Sequence, residues 1–102
     1  MSRYTIEMNF SRAKRQAEQL EEAASRLEKI ASGSIDEALG TVSGNWEGEN
    51  ADQYLRKAQT IRDKLLTTSG DIKGTAQTVR TIAETIYKAE MTALELALKR
   101  NT

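Results

Sequence analysis

Two apolar heptad stripes, uninterrupted by any proline, constrain the fold of this 102-residue chain most strongly. In the first stripe apolar residues recur at alternating spacings of four and three, the pattern of a helix that packs along another helix. Its members are Ile6, Phe10, Ala13, Ala17, Leu20, Ala24 and Leu27. The pattern predicts a first helical arm over about residues 8–42.

The first stripe slips between Ala31 and Ser34. Ser34 and Glu37 have the spacing of a capping box, so we expect the helix to kink or restart there. Leu39 and Val42 belong to an apolar face that resumes after the slip.

The second stripe is longer and keeps one heptad phase. Its members are Tyr54, Ala58, Ile61, Leu65, Thr68, Ile72, Thr75, Val79, Ile82, Ile86, Ala89, Ala93 and Leu96. It predicts a second arm over about residues 51–98. Gly70 and Gly74 fall inside this arm, where each costs about 1 kcal/mol relative to alanine, so they indicate a bend or the close approach of another backbone.

Turn-forming and capping residues separate the two arms and predict a turn over about residues 43–50. The only tryptophan lies in this turn, in the step Trp46, Glu47, Gly48. A large aromatic side chain at a bend can anchor one arm to the other or dock a partner. Glu47, Glu49 and Asp52 suit the start of a helix but lack the ligand spacing of a calcium loop, so no metal and no cofactor is predicted.

The residue types that are missing argue against catalysis. The chain has no cysteine and no histidine, which removes thiolate nucleophiles, imidazole bases, disulfides and ordinary zinc sites. Adjacent carboxylates such as Glu21 and Glu22 point to different sides of a helix and form no acid–base couple. We therefore expect a protein that is not an enzyme.

Charge and hydropathy argue against nucleic acid and membrane as partners. The 15 basic and 15 acidic residues cancel, so no net field attracts nucleic acid. No run approaches the roughly twenty apolar residues of a membrane span, so stable insertion is not expected. The start, with Arg3, Glu7 and Asn9, lacks the apolar segment of a cleaved signal peptide.

A single helical hairpin domain over residues 1–102 is too small to bury both stripes, so a partner is expected. If the turn centres near residue 45 or 46, Phe10 lies opposite residues near 81, and the arm from about Ile82 protrudes by on the order of 25 Å. The protruding stripe either packs on a second copy or recognises another protein. The candidate partner-binding residues are Phe10, Leu20, Leu27, Ile61, Leu65, Ile72, Val79, Ile82 and Ile86.

A chain of this length, with two helical arms and a central Trp46, Glu47, Gly48 followed by Ala51 and Tyr54, resembles the WXG family of small ESAT-like proteins. The resemblance implies an all-α hairpin that pairs into a four-helix bundle, as a homodimer or with a related WXG- or LXG-type protein. It also implies synthesis in a bacterial cytoplasm and secretion, without a cleaved signal peptide, by the type VII (ESX-like) system. In that system a membrane-bound ATPase recognises the folded dimer.

Carried over to this chain, Trp46 and Gly48 match the turn motif, and Tyr87 resembles the tyrosine of the family's carboxy-terminal export signal. That signal places an acidic residue four positions after the tyrosine, where this chain has Met91. Glu90, at three positions, shares a helical face with Tyr87 and is the candidate replacement.

The expected function is that of a type VII secretion substrate or a virulence-type effector or adaptor, acting through helical-bundle contacts. One alternative is a helper that forms a heterodimer with the helical leader of a larger secreted toxin. A membrane-active helical effector is a second alternative, although surface-seeking helices are usually basic. A cytosolic coiled-coil scaffold is a third.

Overall fold

The computed structural model describes residues 2–45 and 47–101, and these are almost entirely helical, with no strand among them. The elements are α1 (Arg3–Lys29), a π-helical segment (Ile30–Ile35), α2 (Asp36–Asn45) and α3 (Glu49–Arg100). This content is consistent with the predicted all-α helical hairpin. Pairing into a four-helix bundle stays a prediction.

Helix α1 begins earlier than the predicted start near residue 8 because Ser2 caps it. The Ser2 hydroxyl accepts a hydrogen bond of 3.1 Å from the Thr5 amide and lies 2.9 Å from the Thr5 hydroxyl. The Ser2 carbonyl accepts a further bond of 3.0 Å from the Ile6 amide. A capped amino terminus satisfies amide groups that the first helical turn leaves unpaired.

The turn is shorter than the predicted 43–50, because α2 continues to Asn45 and α3 begins at Glu49. The Ser43 hydroxyl donates to the Gly40 carbonyl at 3.1 Å, and the Asn45 amide donates to the Thr41 carbonyl at 2.8 Å. Polar side chains that favour turns here bond instead to carbonyls of the preceding helical turn. Only Glu47 and Gly48 are described outside helices in this stretch, and Trp46 lies outside the described residues.

The slip in the first stripe is absorbed by the π-helical segment rather than by the predicted kink or restart. Lys29 and Asp36, which flank the segment, both have α-helical backbone angles, and the backbone runs on into α2. A π turn contains one more residue than an α turn and so shifts the apolar face by one position. As a result Val42 is buried although it lies one position past the heptad phase that Ala31 still follows.

The chain divides into two compact units. The terminal unit contains Met1–Leu20 and Gly74–Thr102, and the central unit contains Glu21–Lys73. Each unit therefore includes part of α1 and part of α3.

The core residues of both units are mostly small. The predicted first stripe is confirmed, since Ile6, Ala17 and Ala24 are buried and its other members are half-buried. In α3 the buried residues are Ala51, Ser69, Ala76 and Ala83. Side chains this small let two helix axes approach closely, because interaxial distance depends on the residues at the contact.

Only four of the thirteen positions in the predicted second stripe are protected from solvent. Ala58, Leu65, Ile72 and Val79 are half-buried as expected. The other predicted positions are exposed, namely Tyr54, Ile61, Thr68, Thr75, Ile82, Ile86, Ala89, Ala93 and Leu96. Ile61, Thr68, Thr75 and Ile82 are each followed by the residue that is less exposed to solvent. These following residues are Arg62, Ser69, Ala76 and Ala83. The prediction placed Ile61 and Ile82 on the packed face, whereas Arg62 and Ala83 beside them are the less exposed residues.

Candidate partner-binding surfaces

A buried serine joins the two helices in the central unit. Ser69 is fully buried, and its hydroxyl donates towards two acceptors, the Ala24 carbonyl at 3.0 Å and the Glu28 carboxylate at 2.8 Å. The same carboxylate forms an ion pair with the Lys73 ammonium. The hydrogen bonds from Lys73 and Ser69 lower the pKa of Glu28 below its ordinary value. These contacts fix the register of α1 against α3 at this level of the central unit.

A second polar contact in the central unit connects α2 to α3. The Arg62 guanidinium lies 3.0 Å from the Asp36 carboxylate and 3.4 Å from that of Asp63. The hydrogen bond to Asp36 is the main reason that the pKa of Arg62 is raised above its ordinary value. Arg62 thus takes a position on the packed face of α3 and still keeps its charge paired.

Large apolar side chains remain exposed beside the packed face of the central unit. Ile61, next to Arg62, is 55% exposed, and Leu66 is 43% exposed. Ile30, at the start of the π-helical segment, is also exposed. Exposed aliphatic residues next to a packed seam are typical of a surface that another helix covers.

In the terminal unit an aromatic contact joins α1 to α3. The rings of Phe10 and Tyr87 stack with centroids 4.6 Å apart and an interplanar angle of 24°. The Lys14 ammonium lies 5.2 Å from the centroid of the Phe10 ring, within the range of a cation–π contact. Phe10 therefore lies opposite Tyr87, and the sequence-based placement opposite residue 81 is wrong.

An apolar groove with a volume of about 240 Å³ lies between α1 and α3 in the terminal unit. Its lining residues are Ile6, Asn9, Phe10, Ala13, Ala83, Ile86, Tyr87 and Glu90. Both residues of the predicted export signal, Tyr87 and Glu90, belong to this lining. The arm from about residue 82, predicted to protrude, is in contact with α1 as far as this groove, because α1 begins at Arg3 and the turn is short.

The structure separates the nine predicted partner-binding residues into two sets. Those half-buried in the packing of α1 and α3 are Phe10, Leu20, Leu27, Leu65, Ile72 and Val79. Three are exposed by more than half, namely Ile61 in the central unit and Ile82 and Ile86 in the terminal unit. The exposed set is the one that can meet another molecule without any change in the packing of either unit.

Of the predicted turn motif, the structure describes Glu47 and Gly48. Gly48 has φ of +100°, a backbone conformation that side chains disfavour, which explains glycine there. Its carbonyl accepts the Asp52 amide at 3.1 Å and so starts α3. Glu47 is exposed, and Trp46 lies outside the described residues.

Sequence reasoning missed Ser69 and Arg62, because the predicted stripe followed the position before each of them, at Thr68 and Ile61. The available signal was the repetition of small residues every seven positions, at Ser69, Ala76 and Ala83. Small residues that recur every seven positions therefore indicate the packed face of α3 better than the large apolar residues beside them.

Across residues 2–45 and 47–101, no group of three or more acidic, histidine or cysteine side chains is placed to hold a metal ion. No described helix is long and apolar enough to cross a membrane. Comparison with known proteins gives no matching family model, no matching curated protein and no matching solved structure.

Proposed function

We propose that this chain is a non-enzymatic helical protein that pairs with a second copy or with a related helical protein, and that it is secreted as such a bundle. The observation that carries the proposal is the exposure of Ile61, Ile82 and Ile86 beside a packed face whose buried residues are small. Burying an isoleucine side chain contributes about 2 kcal/mol, so leaving three of them in water favours association.

The resemblance of the Trp46, Glu47, Gly48 turn to the WXG family extends the proposal to the export route. On this proposal the type VII membrane ATPase recognises the paired chain, and Trp46, Tyr87 and Glu90 contribute to the recognised surface. A shared role for Tyr87 and Glu90 is supported by their position in the lining of one groove. The route implies release from a bacterial cytoplasm without a cleaved signal peptide.

Solution mass tests the pairing. The full chain is expected to sediment as a dimer at micromolar concentration, and Ile61→Lys or Ile82→Lys is expected to shift it to monomer while keeping its helical circular dichroism. Thr60→Lys and Thr81→Lys are matched controls. Both threonines are exposed, and each substitution adds the same charge one position before Ile61 or Ile82. A wild-type chain that stays a folded monomer at high concentration contradicts the pairing.

Secretion tests the route. Trp46→Ala and Tyr87→Ala are expected to remove the protein from the culture medium of its native producer while it accumulates, folded, inside the cells. Tyr4→Ala, in an exposed residue of α1, is the control and is expected to be secreted normally. Equal secretion of all these variants contradicts the export proposal and leaves the pairing proposal standing.

The helper role differs in one measurable outcome. A helper exchanges its homodimer for a one-to-one heterodimer when it is mixed with the helical leader of a toxin encoded beside it. A secreted effector keeps its homodimer in the same mixture.

A further inference from the structure

The groove in the terminal unit has the size of a side-chain pocket. Its volume is about 240 Å³, whereas sites for drug-sized molecules usually occupy roughly 300–1,000 Å³. A groove between two helices that accepts one or two side chains is typical of helix recognition, in which anchors lie three or four positions apart. A segment of another protein therefore fits the groove better than a small metabolite.

The lining of the groove is apolar apart from Asn9 and Glu90. Phe10, Tyr87 and Ile86 provide the largest apolar surfaces, and Ile86 is half exposed at the edge. An apolar side chain of the size of leucine or methionine would bury these surfaces and be excluded from water itself.

Glu90 is the only charged residue in the lining. It is half-buried, and in the described part of the chain its carboxylate forms neither an ion pair nor a hydrogen bond. Lys14, which lies over the Phe10 ring, does not pair with it. A carboxylate at the edge of an apolar groove loses hydration when the groove is filled, so an occupant that brings a positive charge is favoured over one that does not.

We propose that this groove is a docking site for a helix of a partner protein that presents a bulky apolar residue and, one helical turn away, an arginine or lysine. The apolar residue enters between Phe10 and Ile86, and the cation pairs with the Glu90 carboxylate. The site depends only on the terminal unit's own geometry and does not require the export route proposed above.

Methyl NMR on the full chain tests the proposal. The probe is an alanine-based helical peptide with leucine and arginine four positions apart, titrated against protein labelled at alanine and isoleucine methyl groups. We expect saturable shifts of the Ala83 and Ile86 signals, with Ile30 and Ile61 unaffected. A matched peptide with glutamate in place of arginine should bind about threefold more weakly or worse, and one with alanine in place of leucine should not bind.

Two protein variants test the roles of the Glu90 carboxylate and the Ile86 side chain separately. Glu90→Gln keeps the side-chain shape and should remove the preference for arginine over glutamate. Ile86→Ala should weaken binding of the leucine peptide without changing that preference. Glu95→Gln is the charge-matched control, because Glu95 is exposed on the same helix and does not line the groove.

Three results would overturn the proposal. Equal binding of the arginine and glutamate peptides would remove the role of Glu90. Shifts that map away from Ala83 and Ile86 would place the peptide elsewhere. A shift of the Ala83 signal with protein concentration alone, without peptide, would show that a second copy of the chain fills the groove. Ile86 is left out of this comparison, because pairing of two chains is itself expected to cover its exposed side chain.

Discussion

The central unit and the terminal unit are stabilised by different kinds of contact. In the central unit the helices are joined by polar groups, with Ser69, Glu28 and Lys73 at one level and Arg62 with Asp36 at another. In the terminal unit they are joined by the stacked rings of Phe10 and Tyr87. Because polar contacts depend on pH and salt whereas ring stacking does not, the two units should respond differently to the same change of solvent.

The largest effect is expected from Phe10→Ala, which removes the stacked ring from the terminal unit. Loss of a half-buried phenylalanine should lower the free energy of unfolding by about 2 kcal/mol, less than the cost at a fully buried site. Urea unfolding followed by circular dichroism, at fixed protein concentration, measures the change. Tyr4→Ala is the control, since Tyr4 is 72% exposed on the same helix, and it should change stability by less than about 0.5 kcal/mol. Equal losses in the two variants would mean that the ring stack contributes nothing.

The corresponding change in the central unit is Ser69→Ala, which keeps a small residue in the packed face and removes only the hydroxyl. The Ala24 carbonyl and the Glu28 carboxylate both lose a donor, so the free energy of unfolding should fall by about 1 kcal/mol. Hydrogen exchange should show the loss of protection in the amides of the central unit before those of the terminal unit. Ser25→Ala, at an exposed position of α1, should be neutral.

Gly70 and Gly74 allow the two units to be compared by one substitution, since the former lies in the central unit and the latter in the terminal unit. A methyl group added at either position meets no atom within 4 Å. Each glycine-to-alanine change should therefore stabilise α3 by about 0.5–1 kcal/mol. Gly48→Ala is the contrasting case, because its φ of +100° should make the same change destabilising.

A destabilised Gly70→Ala or Gly74→Ala variant would show that another backbone passes close to that glycine in solution. That backbone could belong to the same chain or to an associated one. Measuring the free energy of unfolding of both variants above and below the concentration at which the chain associates distinguishes these two cases. A loss of stability that appears only in the associated state would show that the nearby backbone belongs to the associated chain.

How far the sequence predicts this structure depends on side-chain size. Helical arms, the location of the slip and the packed face of α1 follow from the spacing of apolar residues. The packed face of α3 does not. Ile61 is more apolar than Arg62 and Ile82 is larger than Ala83, yet the charge-paired Arg62 and the small Ala83 are the residues that pack.

The candidate groove illustrates the same limit. Tyr87 and Glu90 could be selected from the sequence as neighbours on one helical face, but their position opposite Phe10 could not. That position depends on the extra residue of the π-helical segment and on the short turn, both of which lie between Phe10 and Tyr87 in the chain. A truncation after Ala83 removes Tyr87 and should therefore remove the ring stack with Phe10.

The smallest effect is expected from the pH dependence that Glu28 gives to the central unit. Its folded pKa lies below the ordinary value of about 4.5, so folding favours the charged carboxylate. The stabilisation is therefore present above the unfolded pKa and is lost as the pH falls through the folded pKa. Glu28→Gln should lower the urea midpoint at pH 7, and the difference from wild type should shrink at pH 3 and in 1 M salt. Glu22→Gln, in an exposed residue of the same helix, is the control, and a pH-independent difference for Glu28→Gln would show that the carboxylate acts through shape rather than charge.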